Sequence, residues 1–379
     1  MGFTRKIVSK FKDVLEKYKQ TKVGHPPRVS LGLDNTKKCL FVYLSSPLTW
    51  KTNDPRLDWH ENLRQSKQIA ETLASNGYQT DVIDLNDTNF TPEKKYDLFV
   101  GHGWHAIHTA KKLNNCRKIC LATGQYGPHA NQQVLKRYKE LAERQNKKIK
   151  TVLPSKLKKP DYEAFDEIVC FGNEITVETF KPLNMPTYGF PNYANPNIRF
   201  VESSEKDSKH FIYMAASRHI LKGLDLLLEI FANNSSWHLH ICGRLNSEIN
   251  NNFQEHLACR NIHQHGYLTM ASNTFTKICK KSMFYISPSC SDGMQGTTLN
   301  AMAAGLIPII TKDAGVKLFG CGYIIENVSI SALTKQINQC TTIDNNTQKT
   351  LSNLSLEIVN KHYNPKNFSD AWEKIINIH

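Results

Sequence analysis

Short, mostly apolar runs alternate along this chain with longer segments that carry an apolar residue every three or four positions. In the first half the strand-like runs are residues 39–44, 82–85, 97–100, 118–122 and 168–171. Between the first two, residues 62–76 set Leu63, Ile69, Ala70 and Leu73 on one helical face, and Gly77 follows where a helix C-terminus favours glycine. Residues 131–145 predict a second helix, with Val134, Leu135, Tyr138, Leu141 and Ala142 on one side and Lys136, Arg137, Lys139 and Arg144 on the others. Strand, helix, strand in this order predicts the parallel units of an open sheet. A Pro- and Asn-rich stretch, 186–200, reads as a linker, and the pattern then restarts at Phe211. Leu224, Leu227, Leu228 and Phe231 keep helical spacing, and 239–242 is the next strand. The unit at 283–310 is the most informative: a strand at 283–286, a turn of small and acidic residues, a helix from about Thr297 that Gly305 stops, and a strand at 306–310.

At 379 residues the chain exceeds the size at which a single core keeps growing. The expectation is therefore α/β with two doubly wound, Rossmann-like domains, at residues 35–190 and 205–360. Residues 1–34 would form a basic amphipathic helix and linker, the helix at 4–20 carrying Ile7, Val8, Phe11, Val14, Leu15 and Tyr18.

Hydrophobic content of 40% and charged content of 22% are those of an ordinary globular protein. The balance of charge is not: 48 Lys and Arg against 34 Asp and Glu leave +14, which calls for an acidic partner such as nucleic acid, anionic lipid or a phosphorylated substrate. Much of the excess sits in the first half, at 4–20 and again in the run Lys147, Lys148, Lys150, Lys156, Lys158 and Lys159. Ten cysteines without a Cys-x-x-Cys pair, and no signal-type start, lead to an expectation of reduced thiols and a cytoplasmic location, with peripheral attachment to an anionic inner membrane face as an extension of it. No apolar run approaches the ~18 residues that a bilayer span needs.

The loop at 287–297 has the chemistry for a phosphorylated ligand. Gly293 and Gly296 permit close backbone approach, and the free N–H groups and positive dipole end of the following helix attract an anion. Thr297, Asn300 and Ala304 share one helical face, so a polar side chain one turn in is aimed at the same cleft.

Pro288-Ser289-Cys290-Ser291-Asp292-Gly293, with Asn300-Ala301-Met302-Ala303-Ala304-Gly305-Leu306-Ile307-Pro308, resembles the nucleotide-sugar signature of GT-B glycosyltransferases of the retaining, family 4 type. Tyr213-Met214-Ala215-Ala216-Ser217-Arg218-His219-Ile220-Leu221-Lys222-Gly223 resembles the same family's first strand of the second domain and its Lys-Gly helix start. The resemblance implies two facing domains with a donor cleft between them, a last helix at 361–379 that crosses back to the first domain, and sugar transfer from a nucleoside diphosphate sugar to an acceptor hydroxyl with retention. It implies a diphosphate site at Lys222, with Arg218 as a displaced second cation and Gly293, Gly296 and Thr297 at the helix start. The family's two glutamates, eight positions apart, fall here on Asp292, facing the donor sugar, and Asn300, facing the ribose; one is shortened by a methylene and the other carries no charge. Tyr267 takes the position at which the family reads the base. His102, and after it His129, match the family's histidine across the cleft. No cofactor or metal is implied, since no Asp-x-Asp motif occurs. The implied partners are the sugar nucleotide and a glycan, glycolipid or other hydroxyl acceptor, not nucleic acid. Two other classes stay open: a GT-B module that binds sugar nucleotide or glycan without turnover, and a basic nucleic-acid or membrane-surface binder.

Overall fold

The computed structural model describes residues 26–33, 37–202 and 204–378; the amphipathic segment 4–20 lies outside them. The first domain holds a seven-stranded sheet of β1 (Val29–Leu31), β2 (Lys37–Tyr43), β3 (Tyr78–Asp84), β4 (Leu98–Gly101), β5 (Arg117–Ala122), β6 (Glu167–Phe171) and β7 (Thr187–Phe190). Their order is β1-β3-β2-β4-β5-β6-β7, parallel except for β1. The second holds β8 (Asp207–Met214), β9 (His238–Cys242), β10 (Ile262–Gly266), β11 (Ser282–Ser287), β12 (Ile307–Thr311) and β13 (Tyr323–Ile325) in the order β10-β9-β8-β11-β12-β13, all parallel. Helices cover both faces of such sheets, which is why their central strands read as unbroken apolar runs rather than as alternations. β4, β6, β11 and β12 are buried at every residue.

In the second sheet the chain winds outward from β8 in one direction and from β11 in the other. The crevice beyond the carboxyl ends of those two adjacent strands is the topological switch point, where ligands bind in this class of sheet. The loops that leave β8 and β11 are the ones carrying Lys222 and Asp292.

Two stretches expected to be linker contain strands. Residues 29–31 add β1 antiparallel to β3, where Ser30 donates to Asp81 at 2.6 Å and Arg28 pairs with Asp87 at 2.8 Å. Residues 187–190 form β7 beside β6, at the opposite edge. Both are too short to show a period against their Pro- and Asn-rich surroundings.

Contacts between the domains are extensive on two sides. The helix Gly127–Gln145 begins a turn earlier than its apolar pattern indicates, with Pro128 in its first turn. Its Val134, Tyr138 and Leu141 are buried in the core of the second domain, together with Leu227, Phe231 and Ile249. On the same helix Arg144 pairs with Asp225 at 2.6 Å and Glu229 at 3.1 Å, and Tyr138 donates to Glu248 at 2.6 Å. The last helix, Pro365–Ile376, crosses back and inserts Phe368 and Trp372 among Phe171, Phe190 and Tyr193 of the first domain. Arg117 closes its C-terminus by donating to the carbonyls of Ile375 and Ile376, 2.9 Å each, where a cation also suits the helix dipole.

Candidate active site

The two domains enclose a cleft of about 410 Å³. Its floor on one side is the pair of loops that leave β8 and β11, which are built against each other. Cys290 N–H donates to the Leu221 carbonyl at 2.9 Å. Gly223 has φ +78°, and a methyl group there would lie 2.5 Å from the Pro288 carbonyl oxygen, so only glycine lets the loops touch.

Lys222 is brought by this contact onto Asp292, with which it forms an ion pair. Asp292 also accepts from Gln295 Nε2 at 3.0 Å and from the Gly293 amide at 3.1 Å. Gln295 is the hub of the loop. Nearly fully buried, it donates to Ser287 Oγ at 3.1 Å, while its Oε1 accepts from Thr298 at 2.7 Å and from Tyr285 at 3.1 Å. Tyr285 in turn lies 2.9 Å from Thr297 Oγ1. The helix Gly296–Ala303 begins in the cleft wall without a side-chain cap, and its first residues, Gly296 and Thr297, line the cavity.

Gly293 makes its closest approach to the first domain: a methyl group there would stand 2.6 Å from the Phe171 carbonyl and 2.8 Å from that of Thr123. The adjacent bonds are Gln125 N–H to the Asp292 carbonyl, 3.2 Å, and Met294 N–H to the Phe171 carbonyl, 3.0 Å. The glycine therefore seats the loop on the ends of β5 and β6, a constraint that phosphate binding does not explain.

Asn300 is buried, and its Oδ1 accepts the Asn195 amide at 2.8 Å, so its NH2 group is the part left for a ligand. Asn195 is itself held by Asp58, which also pairs with Arg64 and accepts from Asn197 at 3.1 Å. Burial alone would raise the Asp58 carboxyl, yet hydrogen bonds from Arg64, Asn195 and Asn197 outweigh it and hold it below the usual carboxylate range. Tyr267 lines the cleft and donates across it to the Trp59 carbonyl at 2.5 Å; burial, then nearby Glu61, keeps its phenol protonated well above neutral pH. Arg218 sits at φ +56°, exposed on the rim, with Nη2 donating to Pro154 at 3.1 Å.

His102 stands apart. It holds the N-cap position of the helix Gly103–Ala110 at the end of β4 without a capping side-chain bond, and its Nδ1 lies 2.8 Å from the Leu121 carbonyl while its ring meets Tyr43 edge-on. A carbonyl only accepts, so Nδ1 carries the proton. Burial lowers the ring's pKa against that bond, and His102 is not among the residues lining the cleft. His129 falls in the first turn of the helix Gly127–Gln145 and does not line it either. The structure thus brings Lys222, Arg218, Asp292, Gly296, Thr297, Asn300 and Tyr267 together around one cavity. Gln295, Glu61, Arg64 and Asp58 also face it without having been singled out by their sequence context. Gln295 had a local signal, as the large polar residue between two glycines; the other three are ordinary members of a polar loop and helix start. Among the described residues no group of three or more His, Cys, Asp or Glu side chains is placed to hold a metal ion.

Residues 195–354 match the family model described as glycosyl transferases group 1. No curated protein sequence matches the chain. Among solved structures, sucrose-phosphate synthase from Thermosynechococcus elongatus superposes with a TM-score of 0.63 at 13% identity, covering 90% of this chain and 98% of that one. HepE of Anabaena, solved with UDP and glucose, gives 0.60 at 11% identity, covering 90% and 100%. TarM gives 0.52 at 14% identity over 74% of this chain, which spans only 54% of TarM's length. At these identities the likeness establishes the fold, which is two facing parallel-sheet domains.

Proposed function

We propose, from the match of residues 195–354 to the model of the group 1 glycosyl transferases and from the two facing parallel-sheet domains of the GT-B fold, that the protein moves a sugar from a nucleoside diphosphate sugar to an acceptor hydroxyl with retention of configuration. The convergence of Lys222, Asp292 and the uncapped start of the helix Gly296–Ala303 on one cleft carries this reading. Lys222 and the helix amides take the donor diphosphate and stabilise the charge that grows on it as the glycosidic bond breaks. Asp292, released from Lys222 by the incoming phosphates and steered by Gln295, accepts hydrogen bonds from the donor sugar. The Asn300 NH2 group donates to a ribose oxygen, Tyr267 borders the base, and Arg218 covers the diphosphate from the rim. No step assigned to these residues uses a metal ion or a cofactor. In thermal-shift measurements with UDP, GDP, ADP and their sugar conjugates, one nucleotide series raises the melting temperature. A protein that no nucleotide stabilises would remove the donor site and leave the glycan-binding module as the better reading.

For the acceptor, a specific surface favours a lipid-linked glycan. Leu135, Val152 and Leu153 are each about half exposed, their two segments joined by the bonds between Asn131 and Ser155, and Lys136, Lys139, Lys147, Lys148, Lys150 and Lys156 in the same stretch of chain are exposed. Exposed apolar side chains accompanied by ammonium groups suit the surface of an anionic bilayer. No described helix is long and apolar enough to cross one. Lys147, Lys148 and Lys150 changed together to Glu abolish co-sedimentation with phosphatidylserine vesicles; retention of binding would discard this surface.

A further inference from the structure

Two helices begin at opposite walls of the cleft. The helix Glu61–Ser75 starts from the first domain and Gly296–Ala303 from the second. Between the two N-termini stands the carboxylate of Glu61. It belongs to the first turn of its own helix, and a methyl group placed on Gly296 would lie 3.0 Å from its Oε1. The nearest basic nitrogen, His60 Nδ1 at 3.7 Å, accepts the Asn62 amide proton and so carries no proton of its own to offer. Glu61 is thus held by two helix dipoles rather than by a cationic side chain. Two cationic side chains deeper in the cleft are each neutralised by a carboxylate, Lys222 by Asp292 and Arg64 by Asp58, while Arg218 stays on the rim.

We propose that Glu61 is an internal anion standing where the donor diphosphate binds, and that it is exchanged for the diphosphate when the sugar nucleotide enters. The inference rests on the donor reading given above. Its side chain is one third exposed, so it can turn outward without opening the core. The exchange carries a cost for every donor, because the carboxylate leaves two helix N-termini and then remains close to the bound phosphates. Removing its charge while keeping its shape therefore strengthens nucleotide binding, the reverse of what the loss of a ligand-contacting residue does.

The test is calorimetric titration of UDP, GDP and ADP into the wild type, Glu61→Gln and Glu61→Asp. For the nucleotide that the wild type binds, Glu61→Gln is expected to bind about tenfold tighter at low salt, and the gain shrinks in 0.5 M NaCl as charges are screened (about a factor of ten is the scale of one such pair). Glu61→Asp keeps the charge but draws it back by a methylene, and falls between the two. Equal or weaker binding by Glu61→Gln, with the wild type binding normally, overturns the exchange and leaves the donor site standing. Failure of all three proteins to bind any nucleotide overturns the donor site itself and the exchange with it.

Discussion

Lys222→Ala lowers the affinity for a nucleoside diphosphate by about a hundredfold, the scale of one hydrogen bond to a charged group lost from a half-enclosed site. The loss has two parts. The ammonium is gone, and Asp292, no longer neutralised, now faces the incoming phosphates with its own charge. Changing Asp292 to Ala in the same protein therefore recovers part of the affinity while leaving turnover low, a non-additivity expected of residues in direct contact. Turnover falls further than affinity, by about 10²–10³, because charge on the diphosphate is greatest as the sugar departs. Lys222→Arg retains the charge but not the compact ammonium, and binds between the wild type and Ala. Folding stability barely moves, since both partners keep nearly a fifth of their side-chain surface in water, where an ion pair contributes little. Isothermal titration together with initial rates on the donor checks all of this, and an unaltered dissociation constant in Lys222→Ala would refute the assignment.

Acid weakens the second domain through a feature far from the cleft. Five histidines lie on three neighbouring parallel strands: His210 on β8, His238 and His240 on β9, and His263 and His265 on β10. His240 bridges His210 and His265 at 2.9 Å each way, and His238 meets His263 at 3.0 Å, so each bond needs a neutral acceptor nitrogen. The rings stack as closely as 4.3 Å. Burial, then the neighbouring imidazoles, pushes His240 down to about 2; burial, then His238, pushes His210 down to about 4. His263 and His265 move the same way for the same causes. Asp207 pulls His210 upward, and Lys281 presses it and His263 down.

In the unfolded chain His210, His240, His263 and His265 regain a pKa near 6.5, so as pH falls the unfolded state takes up protons first. The stability they permit is whole above about pH 6.5 and is lost steadily below it, down to the folded values. Through His240 alone the loss at pH 5 is about 2 kcal/mol. Urea unfolding at pH 7.5 and pH 5 should show that loss or more, and His240→Phe should flatten the slope. A slope that His240→Phe leaves unchanged would place the acid sensitivity elsewhere.

Much of the architecture was legible because burial in a parallel sheet leaves a local mark. Residues 97–100 and 168–171 read as strands and are β4 and β6, and Gly77, at φ +84°, ends its helix where its position indicated. Short strands at the edges carried no such mark, and 29–31 and 187–190 read as linker. In the site, Lys222 and Asp292 were legible as members of motifs on strand-end loops. Motif position could not tell that Gly293 serves the seat on the first domain, or that His102 turns to the Leu121 carbonyl instead of lining the cleft.

By itself, then, the sequence determined the order of the central strands and their helices, the two-domain division and which loops leave the switch point, because periodicity and glycine placement record whether each residue faces core, water or a turn. Only the tertiary structure decided who meets whom. The helix Gly127–Gln145 belongs to the first domain by chain order yet lends Val134, Tyr138 and Leu141 to the core of the second. Glu61 comes to rest at Gly296, and Asn195 on Asn300, across the cleft. Such partners are chosen by the packing of surfaces far apart in the chain, and a local pattern of polar and apolar residues carries no record of the surface it will face.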